Sequence, residues 1–140
     1  VSGAVGGGKE YEASDAIQKS IVNAAYITPS PGPGWCAMWV TQVYQNAGIG
    51  FIGGNANDMY RNFTYTSDRS KLKVGMIVAV ESCSTGGELG RTYGHVGIYI
   101  GDGKVMDNIG QIRVTSLDTW IATCCQSSPV GFGFPPNVQR

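Results

Sequence analysis

Gly94-His95-Val96-Gly97-Ile98-Tyr99-Ile100-Gly101-Asp102-Gly103-Lys104-Val105-Met106-Asp107-Asn108 is the stretch on which the fold turns. Val96, Ile98 and Ile100 alternate with His95, Gly97 and Tyr99, which is the period of a strand with one apolar face. Gly101-Asp102-Gly103 reads as a turn, and Lys104 to Asn108 as the returning strand of a β-hairpin. His95 is the one histidine of the 140-residue chain, and it falls on the face away from the apolar stripe. Gly97 lies two residues further along that face, where a missing side chain leaves room beside the imidazole.

The hairpin has two possible registers. A three-residue loop with Gly103 left-handed pairs Gly97 with Asp107, so that Asp107 shares the His95 face. A two-residue turn at Asp102-Gly103 slips the pairing by one, brings Asn108 to that face and sends Asp107 to the apolar side. Matching Val96 with Ile109 and Ile100 with Val105 favours the second register. The cost of burying an unpaired carboxylate favours the first, and a bulge would reconcile them. Asp107 and Asn108 are both candidates to orient the imidazole, with Asp107 preferred.

Outward from the hairpin, strand-like runs are expected at Met76 to Glu81, Gln111 to Thr115 and Val130 to Phe134. Ser82 to Tyr93, with Gly86, Gly87 and Gly90, reads as a long loop running into His95. Upstream the period becomes helical. Ser14 is placed to cap a helix carrying Ile17, Ile21, Ala24 and Ala25 and ending before Pro29. A second helix covers Cys36 to Ala47, stopped by Gly48. Asn55 to Arg61 suits a short helical turn, and Ser67 to Lys73 a polar connection. Helices first and strands later predict an α+β fold, with the N-terminal helices packed on one face of a small antiparallel sheet.

The second helix begins abruptly after Pro29-Ser30-Pro31-Gly32-Pro33-Gly34-Trp35, which places Cys36 at its N-terminus. There the unpartnered N–H groups and the macrodipole favour a thiolate and can receive an oxyanion. A nucleophilic thiol needs a base, and that base needs an orienting group. Only His95 can be the imidazole base.

Ten basic and ten acidic residues cancel, leaving no electrostatic footprint for nucleic acid or an anionic membrane. Charged residues are only 14% of the chain, against roughly 25% ordinarily, which suits a weakly charged surface outside the cell. No apolar run approaches the ~20 residues of a membrane span. The opening Val1-Ser2-Gly3-Ala4-Val5-Gly6-Gly7-Gly8 reads as a flexible linker. Residues 1–12 are accordingly expected to be a linker and 13–140 one domain, a monomer cut from a larger protein.

Cys36, Cys83, Cys124 and Cys125 contain no Cys-x-x-Cys spacing, so neither zinc nor any other cofactor is expected. If Cys36 is the nucleophile, the others either form one disulfide from Cys83 to Cys124 or Cys125 in an oxidising environment or are all reduced and partly buried. Gly3 to Lys9 imitates a phosphate-binding loop, but Glu10 stands where Ser or Thr is required. Gly48 to Gly53 imitates a dinucleotide fingerprint but follows a helix.

The hairpin Gly94 to Gly103 resembles the histidine hairpin of NlpC-type cysteine peptidases, and Leu72-Lys73-Val74-Gly75-Met76-Ile77-Val78 resembles the strand that precedes it. Cys36-Ala37-Met38-Trp39-Val40 is closer to the cysteine helix of CHAP amidases and peptidases. The resemblance spans Trp35 to Asn108 and implies a papain-like fold and a secreted or surface-exposed bacterial hydrolase acting on the stem peptides of peptidoglycan. It implies Cys36 as nucleophile, His95 as base, Asp107 or Asn108 as third group, and the Cys36 N–H as an oxyanion donor. The NlpC pattern Asp-Cys-Ser-Gly is absent, since Trp35 and Ala37 flank the thiol. Trp35, Trp39, Asp58 and Tyr60 are candidate substrate contacts. The rival readings are a non-catalytic wall-binding module on the same fold and a thiol acyltransferase.

Overall fold

A computed structural model of the chain describes residues 8–83, 87–124 and 128–138. Within them run α1 (Lys9–Glu12), α2 (Ala16–Ile27), α3 (Cys36–Asn46), α4 (Ala56–Phe63), β1 (Ile77–Val80), α5 (Gly87–Tyr93), β2 (His95–Gly101), β3 (Lys104–Asn108), β4 (Ile112–Ser116), α6 (Leu117–Cys124) and β5 (Val130–Gly133). The strands form one antiparallel sheet in the order β4-β3-β2-β1-β5. The α3 helix packs against β2 and β3, α4 against β1, β2 and β5, and α2 against α3. The result is the α+β arrangement that the change of period predicts.

The shared core explains why these elements stay together. Ile21, Val22 and Ala25 of α2, Trp39, Val40, Val43 and Tyr44 of α3, and Ile77, Val96, Ile98 and Phe132 of the sheet are all fully buried. On α3 the apolar residues recur at helical spacing, so burying one stripe also fixes how its first residue, Cys36, is presented. Tyr44 carries a polar atom into this core and satisfies it by donating to the Gly75 carbonyl at 2.5 Å.

Three local expectations are corrected. Asp15, not Ser14, caps α2: its carboxylate accepts from the Gln18 N–H, and the Gln18 side chain accepts from the Asp15 N–H. Ser14 instead donates to the Glu10 carbonyl of α1. The segment before His95 is not all loop, because α5 occupies its second half. Gly94 ends α5 at φ +79°, where a Cβ would lie 2.1 Å from the Val80 carbonyl oxygen, so only glycine fits. Finally, α6 has no counterpart in the expected elements. It starts directly from β4, where Ser116 Oγ accepts from the Thr119 N–H at 3.1 Å.

The hairpin resolves its register by combining both possibilities. Asp102 (φ 53°) and Gly103 (φ 74°) form a two-residue turn closed by the pair Gly101 and Lys104, the primed geometry that suits strand twist. Tyr99 pairs with Val105, so Ile100 is an extra residue on β2. This bulge shifts the ladder back by one, and Gly97 faces Asp107.

Residues 1–7, which carry most of the linker and the phosphate-loop imitation, and Cys125 lie outside the described residues. Among the described residues no helix is long and apolar enough to cross a membrane.

Candidate active site

Cys36 opens α3, whose first intrahelical bond runs from the Trp39 N–H to the Trp35 carbonyl. The N–H groups of Cys36, Ala37 and Met38 therefore have no intrahelical acceptor, and no side chain caps them. Cys36 is partly exposed, and its thiol is near enough to the His95 imidazole to act on its charge.

His95 begins β2, opposite Val80 of β1. Its Nε2–H donates to Asp107 Oδ2 at 2.7 Å, which leaves Nδ1 for the thiol. Asp107 is fully buried and accepts three further hydrogen bonds. Arg113, its cross-strand partner on β4, donates from Nε to Oδ1 at 3.0 Å and from a terminal nitrogen to Oδ2 at 2.7 Å. Trp120 on α6 donates its indole N–H to Oδ2 at 3.0 Å and stacks on the imidazole with ring centroids 5.6 Å apart. The carboxylate thus meets the condition for a buried charge: it is paired and hydrogen-bonded.

These contacts decide the charge states. Burial disfavours the imidazolium, but hydrogen bonds to Asp107 and to Cys36 outweigh it and raise the His95 pKa from 6.5 to about 10. Burial likewise works against the Asp107 carboxylate, and the bonds from His95 and Arg113 outweigh it, so its pKa lies below the ordinary carboxylate range. Hydrogen bonding to Asp107 raises that of Arg113.

Asn108, the alternative orienter, is turned away from the imidazole. Its side-chain oxygen accepts from Ser30 Oγ at 2.6 Å and from the Gly110 N–H, and its amide donates to the Gly32 carbonyl at 3.0 Å. It pins the Pro/Gly segment that leads into Cys36.

The four candidate substrate contacts separate. Trp35 is half exposed beside the thiol, with Met38 and Ile109 also exposed. Trp39 is corrected: it is fully buried, donates its indole N–H to the Thr28 carbonyl, and has no surface to offer a ligand. Asp58 accepts from the Asn55 N–H at the start of its own helix and pairs with Arg61. Tyr60 lines a shallow groove with Arg61, Thr64 and Tyr65 over Gly131 of β5.

Arg113 and Trp120 escaped the sequence reading. Arg113 is recoverable once β4 is paired with β3, because it falls opposite Asp107. Trp120 is not, since α6 itself was unforeseen. Cys83 and Cys124 are both thiols, both buried, and close enough for one to donate to the other. That contact and burial push the Cys124 pKa up. Among the described residues no group of three or more His, Cys, Asp or Glu is placed to hold a metal ion.

Comparison with solved structures gives NlpC1 of Trichomonas vaginalis at a TM-score of 0.61 and 14% identity over 87% of this chain and 44% of that one. NlpC2 of the same organism aligns at 0.61 and 16% identity over 86% and 47%. The peptidoglycan hydrolase RipB of Mycobacterium tuberculosis aligns at 0.57 and 14% identity over 96% and 74%. At these identities the likeness is one of fold, and the chain spans about half the length of the two Trichomonas proteins. No curated protein matches the sequence. The model of the CHAP domain matches residues 28–116, from the segment that delivers Cys36 to the end of the strand that carries Arg113, and the chain belongs to the CHAP domain family.

Proposed function

We propose that the chain is a cysteine hydrolase that cleaves peptide or amide bonds in bacterial peptidoglycan, working outside the cell that makes it. The observation that carries this reading is the buried Asp107 carboxylate hydrogen-bonded to His95, whose imidazole lies close enough to Cys36 to feel its charge. Membership of the CHAP family and the fold shared with the peptidoglycan hydrolase RipB support the substrate class.

In this mechanism His95 holds the Cys36 proton as an imidazolium and the thiolate attacks the substrate carbonyl. The oxyanion forms beside the start of α3, where the Cys36 N–H can donate to it. The imidazolium then protonates the departing amine and the C–N bond breaks, leaving a thioester. A water molecule gives its proton to the now neutral imidazole and attacks the thioester, releasing the acid and restoring the thiol. Asp107 holds the ring so that Nδ1 faces the sulfur throughout. Trp35, exposed next to the nucleophile, is the proposed contact for the stem peptide.

Mass spectrometry of purified walls tests the reading. The native chain should release soluble fragments and Cys36→Ala should release none. New amino termini would identify a peptidase, and free lactyl groups an amidase. Release by the Cys36→Ala protein would overturn the mechanism, and wall binding by the native chain without release would indicate a binding module.

A further inference from the structure

The catalytic line does not by itself account for Arg113. Its guanidinium spends both arms of its fork on Asp107, although Asp107 already has His95 and Trp120 as donors. The side chain is 36% exposed while the carboxylate is 0% exposed, so Arg113 reaches in from the surface to a charge sealed from water.

What such a group supplies becomes clear from the proton cycle. While His95 is an imidazolium, Asp107 has a cation on each side. Once His95 has given its proton to the leaving amine, that cation is gone, and a buried carboxylate without a counter-charge is strongly disfavoured. The site would then hold the proton on His95, and the ring would be slow to act as donor. A guanidinium stays charged at every accessible pH and its planar fork matches a carboxylate. We infer that Arg113 is a positioning residue that keeps the Asp107 carboxylate ionised and immobile during the interval in which His95 is neutral. This inference rests on the reading of His95 as the proton-transfer group, and it adds that Arg113 makes the transfer reversible.

The charged and titratable groups around the pair are few. Cys36 of α3 and Asp107 of β3 act on the imidazole. Cys83, just after β1, and Cys124 of α6 lie near Arg113. Glu81, next to the strand that faces His95, is paired with Arg61, and Asp118 of α6 with Arg69.

Because the chain has a single histidine, its imidazole resonances can be followed through a pH titration by NMR without assignment and without substrate. Arg113→Gln should raise the midpoint by about one pH unit or more, a tenfold fall in the acid dissociation constant, because the imidazolium becomes the sole counter-charge of Asp107. Arg113→Lys, whose ammonium itself titrates near ~10.4, should shift the midpoint upward by less than Arg113→Gln does. An unchanged midpoint in Arg113→Gln would overturn the inference. So would an unchanged midpoint in Arg113→Met, which decides the matter if the Gln protein does not fold. Neither result depends on wall cleavage, so failure here leaves the Cys36 test untouched, and failure there leaves this titration readable.

Discussion

Asp107 and Asn108 are adjacent on β3 and serve opposite sides of it: the carboxylate receives His95, and the amide ties down Ser30 and Gly32 on the approach to Cys36. One dipeptide therefore holds both halves of the thiol and imidazole pair. Alternation of side chains along a strand makes this possible, since neighbouring residues point to opposite faces.

Replacing Asp107 by Asn keeps the size of the side chain and removes its charge. The turnover number for wall-fragment release should fall by about two to four orders of magnitude, as expected when an orienting carboxylate is lost. The His95 titration midpoint should fall as well. A midpoint that stays near 10 would show that Asp107 is not what raises it.

The raised His95 pKa links this site to stability. The folded value lies above the ordinary 6.5, so the stabilisation is fully present below that value and is lost as pH climbs through about 10. Chemical denaturation of the native and His95→Gln proteins should show a stability difference that shrinks from pH 7 to pH 11. Cys36→Ala removes one of the groups holding the proton on the ring, so its NMR midpoint should move down toward the ordinary value.

Asn108→Ala should weaken the fold while leaving the Asp107 bond to the imidazole in place. Ser30 Oγ and the Gly32 carbonyl lose their partner, and the expected cost is about 1–3 kcal/mol in urea denaturation. Activity should fall with it, since the segment leading into Cys36 is released. The His95 midpoint should fall less than in Asp107→Asn, because the Asp107 bond to the ring is kept.

Gly97→Ala tests the crowding between the two strands. A Cβ at position 97 would sit 2.8 Å from the Met106 carbonyl oxygen and 3.1 Å from Asp107 Cβ. The added methyl should cost about 1–3 kcal/mol and displace Asp107 from the ring, seen as a lower melting temperature together with reduced wall cleavage.

Cys83 and Cys124 lie within hydrogen-bonding reach of each other, but both are buried, so exchange with a disulfide donor should be slow and should speed up when mild denaturant opens the fold. Two thiols and one glutathione disulfide give the protein disulfide and two glutathiones. Mass spectrometry should then show one bridged peptide and a loss of two hydrogens. A bridge closing a loop of about 40 residues should stabilise by about 2–4 kcal/mol, raising the melting temperature until a reductant is added. Bridging of Cys83 to Cys125 instead would contradict the placement of Cys124.

Several elements were legible because their signals are local. The period-two run of β2, the return strand β3 and the helix from Cys36 each carry their own pattern, and each lies within a residue or two of its expected bounds. Short elements with mixed signals were not. The two glycines of α5 argue against a helix that packing nevertheless maintains, and α6 is only eight residues long.

From its own residues the sequence determined that a single imidazole sits on the polar face of a hairpin strand and that a thiol begins a helix. Periodicity and helix-breaking residues are enough for that. Tertiary structure alone decided that Asp107 and not Asn108 reaches His95, because the register depends on a bulge at Ile100 that neither turn chemistry nor hydrophobic matching specifies. It also decided that Trp35 meets solvent while Trp39 is sealed in the core, and that Arg113 and Trp120 converge on one carboxylate. Those outcomes come from contacts between segments far apart in the chain, where packing and the need to satisfy a buried charge select among locally equivalent arrangements.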